Sequence, residues 1–373
     1  MRTRSASRAS YRVGLGVLVA ALALAWSAPS LPAAARPAEH PSSVARAAGR
    51  TGESTAPQAL TPVRVGMQYI ISDSGLLLAD DLGYMREAGI DFQGLRMDNL
   101  DLQTALASGQ MDAGGVGPTA AVLNAFLRGV RLRMVADRGQ VTPGHSYLAL
   151  VVRKDLCDSG QVREMADLRG RRVSPQPPSY GTPAWYLLSK LLENGGLRED
   201  DVDLVPLALA DQNAGLAGGT IDAAWNVEPG PTAAVDNGLG VWFRGGDEAI
   251  GPFDLAFLAY SEQFAGQTDL ARRFMTAFLR GVRVYDDAFT RDQGKAETVS
   301  VLTRHLALKD PALYDRIRAP YMDPNGTVNL RGYSEVQDYF IRHGVLPQTV
   351  DLAQVFDPSF AEYAAAQLGP YPQ

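Results

Sequence analysis

The chain has 373 residues, 35 Lys and Arg against 41 Asp and Glu, a formal net charge of −6 and a single cysteine. That length accommodates about two domains with cores of their own. The acidic balance, with no dense Lys/Arg block beyond the first few dozen residues, argues against nucleic acid as a partner. The lone Cys157 excludes an internal disulfide.

Arg2, Arg4, Arg8 and Arg12 precede an apolar run over residues 13–26, and small residues follow to Ala33, Ala34 and Ala35. This is the pattern of a secretory signal peptide, residues 1–35, with cleavage after Ala35 or nearer Ala28. The run is short for a bilayer span. No cysteine follows it closely, so an exported protein, periplasmic or extracellular, without a lipid anchor is expected. Residues 36–62 are rich in Ala, Pro, Ser, Gly and Thr and have no apolar period, which reads as a disordered spacer.

Order is expected from Val63. Residues 63–70 read as a buried strand, and Ser72, Asp73 and Ser74 then stand ready to cap an amphipathic helix over 75–89. Strands over 90–97, 111–115 and 132–136 alternate with helices over 100–107 and 119–127 that stop at Gly109 and Gly129. Short connections between alternating strands and helices predict a parallel, doubly wound sheet. An apolar strand over 147–152 leads into a polar link.

A second lobe of the same kind follows. It has a strand at Val173, a Pro-rich loop, a helix over 184–193 stopped by Gly195 and Gly196, and segments 202–207, 212–217, 221–225 and 241–243. Residues 253–260 read as the return crossing. The expected division is 63–153 with 254–373 for the first lobe and 154–253 for the second. Beyond Ser261 apolar residues recur at helical spacing, with Arg272, Arg273, Arg280 and Arg283 on other faces. Helices around 335–343 and 358–368 close the chain, and most of this tail is expected on the first lobe.

The two lobes share an internal repeat. ALASGQMDAGGVGPTAA at residues 105–121 returns as GLAGGTIDAAWNVEPGPTAAV at 215–235, pairing Leu106 with Leu216, Gly109 with Gly219 and Asp112 with Asp222. After a three-residue insertion, PTAAV recurs from Pro231. The loops of the two copies differ. The first is small and backbone-rich, while the second brings an indole and a carboxylate, so ligand-selective side chains are expected from the second.

Chemistry-bearing motifs are sparse. His40, His145, His305 and His343 are scattered, and there is no HExxH, CxxC or phosphate-loop Lys motif, so neither a metal nor a cofactor is expected. GGVGPTAA from Gly114 matches only half of a dinucleotide fingerprint, and its glycines suit close approach of a ligand or the other lobe.

Loops that follow strands carry more information, because open α/β sheets bind ligands at the C-terminal strand ends. Four loops qualify, at residues 68–74, 115–119, 179–182 and 225–228. They nominate Gln68, Tyr69, Ser72, Asp73, Gly117, Thr119, Ser179, Tyr180, Thr182, Trp225 and Glu228. Tyr69, Tyr180 and Trp225 would supply flat walls, and Thr119, Ser179 and Glu228 would fix orientation. Several have structural alternatives: Ser72 to Ser74 and Thr119 as helix caps, Trp225 as core, Glu228 as a carboxylate in a first helical turn. Asp254 on the return crossing and His145 in the long connection after Ala136 complete the set. In that connection Arg138 is placed to pair with Asp73 or Glu228, or to bind an acidic ligand.

Together LGYMREAGIDF, ALASGQMDAG, ADLRGRRVS, GLREDDVDLVPL, GGTIDAAWNVEP and LARRFMTAFLRGVRVYDDAF, in this order across residues 63–289, resemble the solute-binding proteins of ABC importers. The similarity is to the SsuA-like group, whose members bind aliphatic sulfonates, taurine, nitrate or thiamine-pyrimidine precursors. It implies a type II periplasmic-binding-protein fold, with two α/β lobes, two crossing segments and a small solute between them. It also implies an ABC permease with its ATPase as partners, a monomer, and capture without catalysis. In this family the glycine loop after Asp112, the Ser/Thr loop at Ser179 to Thr182 and the loop of Glu228 and Pro229 line the cleft. Pro178-Ser179-Tyr180-Gly181-Thr182 stands where many sulfonate binders carry a Gly-Ser-Thr-like run. Two alternatives share the resemblance: a pyrimidine-precursor enzyme, whose Cys-rich motif this one-cysteine chain lacks, and a ligand-sensing partner of a membrane receptor.

Overall fold

The computed structural model describes residues 59–175 and 180–372. The expected signal peptide, most of the expected spacer and Ser179 lie outside them. The chain begins with Thr61–Met67 (β1), Ser74–Asp81 (α1), Tyr84–Glu87 (α2), Ile90–Arg96 (β2), Asn99–Ala107 (α3), Ala113–Val116 (β3), Ala120–Leu127 (α4) and Leu132–Val141 (β4). The helix expected over 75–89 is two pieces, because Gly83 takes φ 82° and ends the helical path.

Next come Leu148–Arg153 (β5), Lys154–Asp158 (α5), Arg172–Ser174 (β6), Pro183–Asn194 (α6), Asp203–Leu204 (β7), Leu209–Ala217 (α7), Ala223–Val227 (β8), Gly230–Asp236 (α8), Gly240–Gly245 (β9) and Asp247–Ile250 (α9). The remainder is Phe253–Ser261 (β10), Glu262–Gly266 (α10), Thr268–Thr290 (α11), Lys295–His305 (α12), Tyr333–Arg342 (α13) and Ser359–Leu368 (α14). Helix α12 has no counterpart in the sequence reading.

Two five-stranded sheets result, ordered β2-β1-β3-β10-β4 and β7-β6-β8-β5-β9. They are mixed rather than wholly parallel. β1 runs parallel to β2 and β3, and β6 to β7 and β8. β10 is antiparallel to β3 and β4, and β5 to β8 and β9. The reason lies in the crossings: strands of the βα units end at the cleft, whereas β5 and β10 arrive from the opposite lobe, start at the cleft and must run away from it.

That topology moves one expected boundary. Leu148–Arg153, assigned by sequence to the end of the first lobe, is an interior strand of the second sheet, and the first crossing falls at residues 142–147. Its continuous burial at Leu148, Ala149, Leu150, Val151 and Val152 reflects coverage of both faces of that sheet.

The internal repeat has a structural counterpart. Gly109 and Gly219 both adopt positive φ, 71° and 65°, at the turn before the repeated strand. Asp112 then accepts hydrogen bonds from the backbone N–H and the guanidinium of Arg64. Asp222 accepts the same set from Arg172. Each carboxylate thus locks a β-strand to its parallel neighbour.

The long α11 turns Leu270, Phe274, Phe278 and Tyr285 inward, and its polar arginines outward. It crosses α1 at two glycines, where a Cβ on Gly281 would lie 2.1 Å from the Gly75 carbonyl oxygen. The tail is not confined to the first lobe. Helix α13 lies against α6, with Tyr186 donating to Glu335 at 2.8 Å and Tyr339 donating to Glu199 at 2.6 Å. One apolar cluster accordingly runs from Phe126 and Leu132 of the first lobe through Leu150 to Trp185 and Trp225 of the second, and on to Tyr333 and Phe340.

Candidate functional site

The strand-end loops of both sheets converge on a cleft of about 270 Å³. The first lobe contributes Gln68, Ile70, Ile71 and Ser72 after β1, Asn99 at the start of α3, Gly115 to Gly117 with Thr119 around the end of β3, and Arg138, Leu255 and Ala256 from β4 and β10. Facing them are Tyr147 and Leu148 at the start of β5, Thr182 to Ala184 at the start of α6, and Val227 with Glu228 after β8.

Arg138 is the cleft's one cationic side chain among the described residues, and it is 2% exposed. Its Nη1 donates to Asp73 Oδ1, and Asp73 is completely buried. The other oxygen of Asp73 accepts the Ile70 N–H, which ties the loop after β1 to the same pair. Gly115 leaves the space that the guanidinium fills, since a Cβ there would lie 2.2 Å from Arg138 Cζ. Of the two pairings the sequence left open, the structure forms the one with Asp73.

Three buried polar atoms with no hydrogen-bond partner belong to residues that line this cleft: Asn99 Oδ1, Arg138 Nε and Thr182 Oγ1. Buried polar groups are nearly always paired, and each left unpaired costs about 1–3 kcal/mol. A bound molecule offering a matching donor and acceptor relieves that cost. Around them Ile70, Ile71, Val116, Leu148, Pro183, Val227 and Leu255 make the remaining lining largely apolar.

The lobes touch at the cleft. Ala120, the first residue of α4, donates its N–H to the Gly181 carbonyl at 2.9 Å. Thr119 meanwhile caps α4 through Val122 N–H. Glu228 is held by Thr232, whose hydroxyl and N–H both donate to it, and by the Arg318 N–H at 3.0 Å. Burial pushes its pKa up against those hydrogen bonds, which pull it down.

The structure therefore brings together six of the nominated residues: Gln68, Ser72, Gly117, Thr119, Thr182 and Glu228. Asp73 lies one layer below, reaching the cleft through Arg138. The other described ones, Tyr69, His145, Tyr180, Trp225 and Asp254, are placed elsewhere. Tyr69, at φ 58°, holds its ring under Arg96 at 4.6 Å. His145 sits by the Ala319 carbonyl and Tyr321. Tyr180 stacks on His343 with centroids 4.3 Å apart. Trp225 is fully buried and donates to the Ala184 carbonyl at 2.8 Å, bracing the start of α6 from behind. Asp254 is buried under residues 323–331, accepting the Asn329 N–H. Of Trp225, Asn226 and Val227, only Val227, the last residue of β8, reaches the lining.

Asn99, Tyr147 and the apolar lining were not among the nominated contacts. Asn99 follows Asp98, a helix N-cap by its hydrogen bonds to Leu100 and Asp101, so helix-start geometry was the available signal. A larger groove of about 540 Å³ lies between α2, α11 and α14, but its arginines are engaged: Arg280 with Glu87 and Arg273 with the Ala88 carbonyl. Among the described residues no three His, Cys, Asp or Glu side chains come together as metal ligands, and no helix is long and apolar enough to cross a membrane.

Known proteins share this architecture. The chain is 26% identical over 222 residues to a putative aliphatic sulfonates-binding protein of Escherichia coli K12, a match spanning 56% of this chain and 63% of that relative. The alkanesulfonate-binding protein SsuA from Xanthomonas axonopodis pv. citri, bound to MOPS, superposes with a TM-score of 0.59 at 23% identity, covering 81% of this chain and 99% of that one. The desulfurization enzyme DSZB superposes equally well, with a TM-score of 0.59 at 18% identity over 83% of this chain and 99% of its own. These likenesses show the fold, two α/β lobes of the type II periplasmic-binding-protein kind. The NMT1/THI5-like family pattern matches residues 71–288, more than half of the sequence. The chain belongs to the NMT1/THI5-like family.

Proposed function

We propose that this is an exported solute-binding protein. It takes up a small, mainly apolar molecule with a polar head between its lobes and, as a monomer, presents it to an ABC permease driven by an ATPase. The observation that carries the reading is the set of unpartnered atoms at the cleft, Asn99 Oδ1, Arg138 Nε and Thr182 Oγ1, supplied by both lobes. A molecule that satisfies both sides at once stabilises the closed arrangement by its differential affinity for it. The likeness to proteins that bind aliphatic sulfonates supports a small-solute class.

Because the same fold also houses a desulfurization enzyme, the site must decide. Among the described residues the cleft lining contains neither histidine nor cysteine, and Cys157 lies on α5, away from it. Capture is favoured over catalysis on that ground. The test is a thermal-shift screen of the mature chain against small organic solutes, repeated on Thr182→Val. At about 100 times its Kd a cleft ligand stabilises by about 2.7 kcal/mol, and the variant should respond less. A screen in which no solute raises the melting temperature, or in which a product accumulates, overturns the reading.

A further inference from the structure

We infer that the captured solute carries no net charge and has an amide-like head that both accepts and donates a hydrogen bond; this rests on the capture proposed above. The charges around the cleft carry the argument. Arg138 is the only cation among the described lining residues, and it is already set against Asp73. Glu228 is the only carboxylate there. The three groups sum to no positive charge, whether Glu228 is ionised or protonated. At the start of α4 the Ala120 N–H is given to Gly181 and the Val122 N–H to Thr119. An anion placed here is desolvated with no unpaired cation among the described lining residues to meet it.

The fully buried side-chain atoms left unsatisfied on the described lining residues are a donor, Arg138 Nε–H, an acceptor, Asn99 Oδ1, and the Thr182 hydroxyl, which serves as either. A carboxamide, or a ring bearing the same N–H and C=O, matches that set. A sulfonate, which only accepts, leaves Asn99 Oδ1 unpaired.

The experiment is calorimetric titration of the mature chain with matched probes: hexanamide, hexanoate, hexanesulfonate and hexylammonium, and benzamide, benzoate and benzenesulfonate. The amide should bind at least about tenfold more tightly than the charged probes of the same body, with an affinity that salt does not change. Tighter binding of a carboxylate, sulfonate or ammonium probe overturns this inference and leaves capture standing. Absence of binding by every probe and every solute of the wider screen overturns both. Asp73→Asn releases Arg138 and should move the preference toward the sulfonate by about tenfold; an unmoved preference contradicts the charge argument. Should that variant fail to fold, Asn99→Leu serves: it removes the acceptor, so amide affinity should fall by about tenfold while sulfonate affinity stays within about threefold of the parent, and unchanged amide affinity contradicts the inference.

Discussion

The backbone N–H of Ala120, in the first lobe, donates to the carbonyl of Gly181, in the second, at 2.9 Å. The start of α4 is thereby closed by the opposite lobe, beside the cleft. Ala120 is the first helical residue and Thr119 before it is extended, a setting that tolerates proline. Ala120→Pro should keep the helix, remove the inter-lobe bond and set a ring carbon against the Gly181 oxygen. Solute affinity is expected to fall by about tenfold, the worth of one such bond, with a larger radius of gyration in scattering. Unchanged affinity and size would separate this contact from closure.

Gly115 gives a second prediction. A methyl group there meets Arg138 Cζ at 2.2 Å, and the guanidinium cannot move without leaving Asp73. Gly115→Ala should destabilise by about 1–3 kcal/mol, the usual cost of overpacking, and abolish detectable solute binding. Urea melts and calorimetry check both. Retained affinity would show that the Arg138 position is immaterial.

The repeated Arg–Asp clasp predicts a pH effect. Asp222 is partly buried, which raises its pKa, but hydrogen bonds and charge from Arg172 outweigh that and hold it below the ordinary carboxylate value. Its contribution is therefore present above the ordinary carboxylate pKa and lost as pH falls through the folded one. Asp222→Ala should cost about 2 kcal/mol near neutral pH, as lost charge-assisted hydrogen bonds do, and less in acid. An equal loss at both pH values would contradict the assignment.

Asp254 should behave in the opposite sense. Burial, and then the nearby Asp137, push its carboxyl well above the usual range, and its Oδ1 has no partner. The folded state holds a proton that the unfolded chain releases, so stability declines as pH rises from the carboxylate range into alkali. Asp254→Asn preserves an acceptor for Asn329 N–H and should add about 1–2 kcal/mol at alkaline pH while changing little in acid. Denaturant melts across pH test this, and a variant less stable at alkaline pH would refute it.

Much of the architecture was legible because βα alternation and the Leu106 to Ala121 repeat are local signals. The mixed sheet was not, since the direction of Leu148–Arg153 and Phe253–Ser261 depends on which lobe each strand leaves. At the cleft, loops after strands located Gln68, Ser72, Gly117, Thr119, Thr182 and Glu228. Side-chain direction was the missing quantity. Trp225 and Tyr180 belong to the right loops and turn into packing instead. Arg138, the one cationic side chain among the described lining residues, comes from the first lobe, and Glu228 of the second repeat copy lines the cleft opposite it. The role of Arg138 depends on a void at Gly115, which only the folded chain reveals.

Capture between two lobes is tested most directly by hydrogen–deuterium exchange of the mature chain with and without a saturating solute from the screen. Protection should appear on both sides of the cleft together, at residues 115–120 of the first lobe and at 182–186 and 227–232 of the second. Protection confined to one lobe, or lying at the α2–α11–α14 groove instead, would contradict the account.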